Sequence, residues 1–149
     1  MKNYGLASFF FCVILAMAIV LACGSPAFHI APSCSSAPIT SNESMPQSIT
    51  LCPAVADARD YPDGQVQFIA IGSFQTKPSP ALLKAQLWGA CQDNNPTTAI
   101  SISSSGLAQC GAGASGTYSV FASDMTNCLV IGPCGTGCFV SGYAKLTCP

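Results

Sequence analysis

Few residues in this chain have the chemistry of a reacting centre. A general base, a nucleophile or a metal site normally gathers several His, Asp, Glu or Lys side chains. Histidine and glutamate occur once each, as His29 and Glu43, and both fall in one Ser- and Pro-rich stretch. A Ser–His–Asp arrangement would have to recruit His29 from that stretch, so no catalytic residue is assigned. In "DARDYPDG", Asp57, Asp60 and Asp63 recur every third residue. A hard cation such as calcium needs several oxygen ligands from one loop. The spacing is not that of an EF-hand, and Arg59 and Tyr61 intervene, so a solvated turn is expected. Cys128, Cys134 and Cys138 lie close together in "CLVIGPCGTGC". They form no C-x-x-C pair and have no evident fourth ligand, so disulfides are expected there rather than zinc. "GAGASG", residues 111–116, is glycine-rich like a phosphate loop, but such loops lead into a helix and this one leads into a strand-like segment. No metal and no cofactor is expected.

Composition excludes other classes. Charged residues make up 7% of the 149, and the formal net charge is −1. A nucleic-acid partner requires clustered Lys and Arg to displace counterions, and five basic residues spread over the chain do not supply them. The polar surface must come from Ser, Thr, Gln, Asn and Gly, as in exported β proteins.

The N-terminus carries the clearest address. Lys2 precedes "GLASFFFCVILAMAIVLAC", an uninterrupted apolar run from Gly5 to Cys23. Its terminal position and small closing residues fit a signal peptide over residues 1–22 better than an uncleaved anchor. The end of the run, "VLACGS", resembles the lipobox of bacterial lipoproteins. Val20, Leu21 and Ala22 precede Cys23, and Gly24-Ser25 follow it. The resemblance implies that Cys23 is acylated and becomes the mature N-terminus, anchoring the chain in a lipid bilayer. Ordinary cleavage after Ala22 or Ala27 is the competing outcome and would give a freely secreted protein.

Ten cysteines are present. Cys12 leaves with the signal peptide. If Cys23 is acylated or removed, eight remain: Cys34, Cys52, Cys91, Cys110, Cys128, Cys134, Cys138 and Cys148. An even set suits disulfides in an oxidising compartment, but spacing cannot choose among 105 formal pairings. Cys91–Cys110 and a bond within Cys128–Cys138 are the pairings first considered.

These residues must be held by the elements between them. Residues 23–46 read as a Ser/Pro-rich tether without periodicity. From Ser48 onward short strand-like segments alternate with turn clusters. In "GQVQFIAIGSF", Val66, Phe68, Ala70, Gly72 and Phe74 share one face. "LLKAQLWGAC" carries the only tryptophan, Trp88, which is expected to fill the interior. "AISIS", "GTYSVFAS" and "GYAKLTC" alternate in the same way, and "DYPDG" and "QDNNP" mark turns. No segment forms a convincing helix of about ten residues. The fold class expected is all-β: an Ig-like β-sandwich of about seven short antiparallel strands, braced by disulfides. Phe121 points away from the Val120–Ala122 face and is expected to lie beneath an enlarged Cys-rich loop over residues 125–141.

Residues 48–148 resemble a bacterial Ig-like domain of group 2, the BIG2 family. The likeness rests on "SITLCPAVADARDYPDGQVQFIAIGSF", with its strand ending in Pro, its Gly-containing turn and its following strand. It continues in "LWGACQDNNPTTAISISSSGLAQCGAGASGTYSVFASD". Trp88, Ile100, Ile102, Gly106, Leu107, Ala108, Gly116, Thr117, Val120 and Ala122 fall at the family's pattern positions. The high cysteine content and the long loop at 125–141 depart from that pattern. The resemblance implies an Ig-like domain over residues 47–149 with a non-catalytic role in adhesion, surface binding or structural spacing. Its partner would be an unidentified protein or glycan. The address implied is the cell envelope, through Cys23; the alternative is a freely secreted, disulfide-rich binding or inhibitory module.

Overall fold

The structure, a computed structural model, describes Cys34, residues 37–124, Cys134 and residues 140–149. Alternation of apolar and polar residues builds the first layer. In the run from Gln65 to Phe74 every even-numbered residue is buried, and Val66 and Phe68 are fully so. This run supplies β3 (Gln65–Gln67) and β4 (Ile69–Ser73). β4 pairs antiparallel with β1 (Ser48–Cys52) on one side and with β5 (Ala81–Leu82) on the other. β3 pairs with β9 (Leu107–Cys110), and β9 with β8 (Ile100–Ile102).

The second layer runs in the order β2 (Val55–Asp57), β11 (Ser141–Cys148), β10 (Gly116–Ser123), β6 (Leu87–Gln92), β7 (Asn95–Pro96). Its centre is the eight-residue ladder from Gly116↔Cys148 to Ser123↔Ser141. Tyr118, Val120, Ala122, Ala144 and Leu146 point inward from it and are buried. They meet Leu51, Val66 and Phe68 from the first layer in one apolar cluster. The chain is therefore all-β and sandwich-like, with the disulfide bracing described below.

Among the described residues, eleven strand segments replace the expected seven or so, for local reasons. The first long run changes layer at Pro53, which has no N–H to continue the ladder. Past it, β2 pairs parallel with β11, an exception to the antiparallel expectation. The run from Gln65 divides at Phe68, whose N–H donates to the Gly106 carbonyl at 2.9 Å as the last bond towards β9, before Ile69 pairs with β1. β5 and β7 are two residues each. The β6–β7 hairpin turns through Asp93 and Asn94, at φ 51° and 63°, the two positive angles that a tight two-residue loop requires.

One boundary moves. Residues 37–46 fall in the expected tether, yet they lie on the sandwich. Ser41 forms a parallel bridge with Leu82, and Leu82 N–H donates to the Thr40 carbonyl at 2.7 Å. The Asn42 carboxamide donates to the Thr76 and Pro78 carbonyls, and its oxygen accepts from Ser44 N–H. Pro46 is buried. Backbone and side-chain hydrogen bonds hold this segment, and they leave no apolar period to read.

Gly106 has the narrowest tolerance in the fold. Its φ is +84°, and a Cβ there would stand 2.5 Å from the Phe68 carbonyl oxygen and 2.8 Å from the Trp88 ring. Gly113 has nearly the same φ, +83°, but open space around it. Gly113→Ala is expected to cost about 1 kcal/mol from the left-handed backbone alone, and Gly106→Ala about 3 kcal/mol because overpacking adds to it. Urea unfolding of the two variants checks the difference, and equal losses would overturn the account.

Candidate functional site

Six of the eight candidate cysteines meet in three pairs. Cys34 joins Cys52 at the end of β1, with Cα atoms 5.7 Å apart. Cys110 ends β9 and Cys148 ends β11, so their bond, Cα–Cα 6.0 Å, ties one layer to the other. Cys91 pairs with Cys134, Cα–Cα 6.0 Å. The Cys91–Cys110 pairing considered from the sequence is corrected by register. Cys91 lies opposite Ser119 on the outer face of the second layer, whereas Cys110 closes a strand of the first. Cys128 and Cys138, and with them the bond considered within Cys128–Cys138, lie outside the described residues, as do the acylation candidate Cys23 and His29. Three bridges fit a chain folded outside the reducing cytosol.

Cys134 sits on the outer face of the second layer. Its N–H donates to the Asn94 carbonyl at 3.3 Å, and its own carbonyl accepts from the Tyr143 hydroxyl at 3.3 Å. Between these anchors lies Phe121, half-buried, with its ring centroid 6.5 Å from that of Tyr143. A Cβ at Gly89, directly across on β6, would collide with the Phe121 ring. Ser123, fully buried, donates from Oγ to the Val140 carbonyl at 2.9 Å.

The acidic turn is organised around one pair. The Asp57 carboxylate accepts from the Arg59 backbone N–H at 3.0 Å and takes both Nε and Nη2 of its guanidinium, at 3.0 and 2.6 Å. Those hydrogen bonds hold the Asp57 carboxyl down at about 2 from its ordinary 3.8. Asp63 turns the chain at φ 56°. Among the described residues no three His, Cys, Asp or Glu side chains gather as for a metal. Tyr61 is pushed up by burial and by the nearby Asp60 charge.

A cleft lies beside the β5–β6 connection. One lobe, about 350 Å³, runs over Trp88, Ile69 and Leu83. The other, about 780 Å³, is bounded by the Ser41–Pro46 segment, Gln86 and Asp124. Ser41, Leu83, Lys84, Ala85 and Ser104 line both, so the two are continuous. Trp88 packs on the core, as its strand position led us to expect, but it is only half-buried and borders this cleft. Reading by alternation missed the cleft because loops wall its wider lobe, although the strand residues Gln67, Ile69, Ala70, Leu82 and Trp88 line the narrower one. The apolar run before Trp88 was its only sequence signal.

Two outcomes follow from these contacts. Asp57 should titrate by NMR with a midpoint near 2, returning towards 3.8 in Arg59→Gln. A folded value below the unfolded one means the contact adds stability above pH 3.8 that is lost as pH falls towards 2. The double variant Cys110→Ser/Cys148→Ser should lose about 3–4 kcal/mol in urea unfolding, as expected for a closed loop of this size. Comparison with models of known protein families finds none that matches the chain, and comparison with curated proteins finds no match either.

Proposed function

We propose that this chain is a non-catalytic binding or spacing module of a bacterial cell envelope, held at the membrane by an acyl chain on Cys23. Three observations support the reading. The apolar run that ends in "VLACGS" has the form of a lipoprotein export signal. The sandwich is all-β, as the likeness to the BIG2 family leads one to expect, and the three bridges among the described residues, which that likeness does not explain, suit an exported domain. The export signal carries most weight, and the Cys34–Cys52 bond then sets the reach of such an anchor. It pins the chain to the end of β1, so only residues 24–33 lie between the anchor and the domain. A fully extended chain of that length reaches about 36–40 Å, which keeps the module close to the bilayer.

The test is acylation. Cells grown with labelled palmitate should incorporate label into the wild-type protein and not into Cys23→Ser, and the variant should leave the membrane fraction. Unlabelled wild-type protein released into the medium would overturn the anchor and favour the freely secreted module.

A further inference from the structure

We propose that the outer face of the first layer, together with the segment docked at its edge, lies against the lipid bilayer. The inference rests on the reading of Cys23 as an acyl anchor and gives the anchored domain an orientation.

Charge divides the two layers. The first layer consists of β1, β3, β4, β5, β8 and β9, and none of these strands contains a charged residue. The second layer carries Asp57 on β2 and Lys145 on β11, both at outward positions. Outward positions of the first layer are apolar instead. Alternation turns Ile69 and Ile71 of β4 away from the core, and Leu82 of β5 stands directly across from Ile71. All three are only half-buried. Leu83 and Trp88 continue this strip along the narrower lobe of the cleft, which Ile69 and Leu82 also line.

The docked segment adds the two most exposed large hydrophobic residues among those described. Ile39 is 93% exposed and Met45 is 70% exposed. They flank Ser41, Asn42 and Ser44, which are held to Leu82 and to the Thr76–Pro78 turn. Val55 and Tyr143, the next most exposed, belong to the second layer, where Val55 lies directly across from Lys145. A single exposed apolar side chain is ordinary, whereas several on one uncharged side of a domain mark a surface that is covered.

The place where the anchored chain enters the domain identifies what covers it. Ile49 and Leu51 point into the core, so Cys52 points outward, directly across from Ile69. The Cys34–Cys52 bond therefore brings the chain onto the domain at this apolar face. Only residues 24–33 separate that point from Cys23. A membrane-held chain that enters there keeps the face towards the lipid. An apolar surface so placed settles into the boundary between headgroups and acyl chains, about 5–10 Å deep. Taking an unpaired charge out of water is costly, and the strands of this layer bring none. At the rim, Lys77 and Lys84 are offset by Glu43 and Asp124, so the contact needs no anionic lipid.

The test uses protein purified from cell membranes and reconstituted into phosphatidylcholine vesicles. The lipids carry bromine near the glycerol end of the acyl chains, where it quenches an indole that reaches it. Ile39→Trp and Met45→Trp each add one indole on the proposed contact side. Thr117→Trp adds one at an exposed outward position of the second layer. The wild type supplies the background emission of Trp88, the only native tryptophan. Emission added by Ile39→Trp and by Met45→Trp should be blue-shifted and quenched, and that added by Thr117→Trp should be neither. Equal quenching at all three positions overturns the proposal. So does its absence at both Ile39 and Met45, the result expected if a protein partner or a second copy takes this face instead. Palmitate labelling separates the two readings. Labelled protein without quenching removes the bilayer face and leaves the anchor standing, whereas quenching in unlabelled protein does the reverse.

Discussion

The bond between Cys110 and Cys148 closes the end of the sandwich, and most of the architecture depends on that closure. It links the last residue of β9 to the last residue of β11, one in each layer. The interior it closes is thin. Beside Phe68, Leu51, Val66, Val120 and Leu146, much of the buried cluster is alanine: Ala56, Ala58, Ala70, Ala90, Ala108, Ala122 and Ala144. Alanine packs two layers closely but removes little apolar area from water, and hydrophobic stabilisation scales with that area. A covalent tie that restricts the unfolded chain offsets a core of this kind. It also explains why glycines stand where the layers come closest. A Cβ on Gly142 would meet the Ile49 side chain at 2.7 Å and its carbonyl oxygen at 2.8 Å.

The Cys91–Cys134 bond does different work. It joins a strand to the long β10–β11 connection on the outer face of the second layer, where no second sheet provides cover among the described residues. Phe121 and Tyr143 stand there on neighbouring strands, Tyr143 nearly half exposed. Fixing Cys134 between Asn94 and the Tyr143 hydroxyl holds one point of that connection over the aromatic pair. The outer face is thus organised from three elements, β6, β10 and β11, and from one covalent bond.

The parts of this fold that could be read from the sequence are those where period alone decides. Residues 66–74, 118–122 and 144–146 bury every second side chain, and a residue's face follows from counting. What could not be read depends on partners distant in the chain. Ser41 meets Leu82 through backbone groups that every residue type carries, so a Ser- and Pro-rich stretch reads as a tether although its second half is docked. Cysteine partners follow from which layer a strand joins, and that is decided by Pro53 and Phe68 breaking two runs, not by spacing. Trp88 was rightly placed against the interior. The cleft at its other edge is walled by Ser41–Pro46 and Ser104–Ser105, loops with no pattern to count.

The docked segment links the N-terminal disulfide to the cleft. The chain leaves Cys34, which is bonded to Cys52, and then forms one wall of the cleft as it passes Ser41 and Asn42 before entering β1. Anything that positions the domain through its N-terminal side therefore acts on a segment that also borders the cleft. Pull on that segment is borne first by the Cys34–Cys52 bond. Beyond it, the hydrogen bonds of Asn42 and Ser44 to the Thr76–Pro78 turn keep their geometry. Without the bond, the same pull would fall on those few exposed hydrogen bonds, each worth only about 1 kcal/mol. The Cys34–Cys52 disulfide thus shields the wall formed by Ser41 and Asn42 from strain applied through the N-terminal side of the domain.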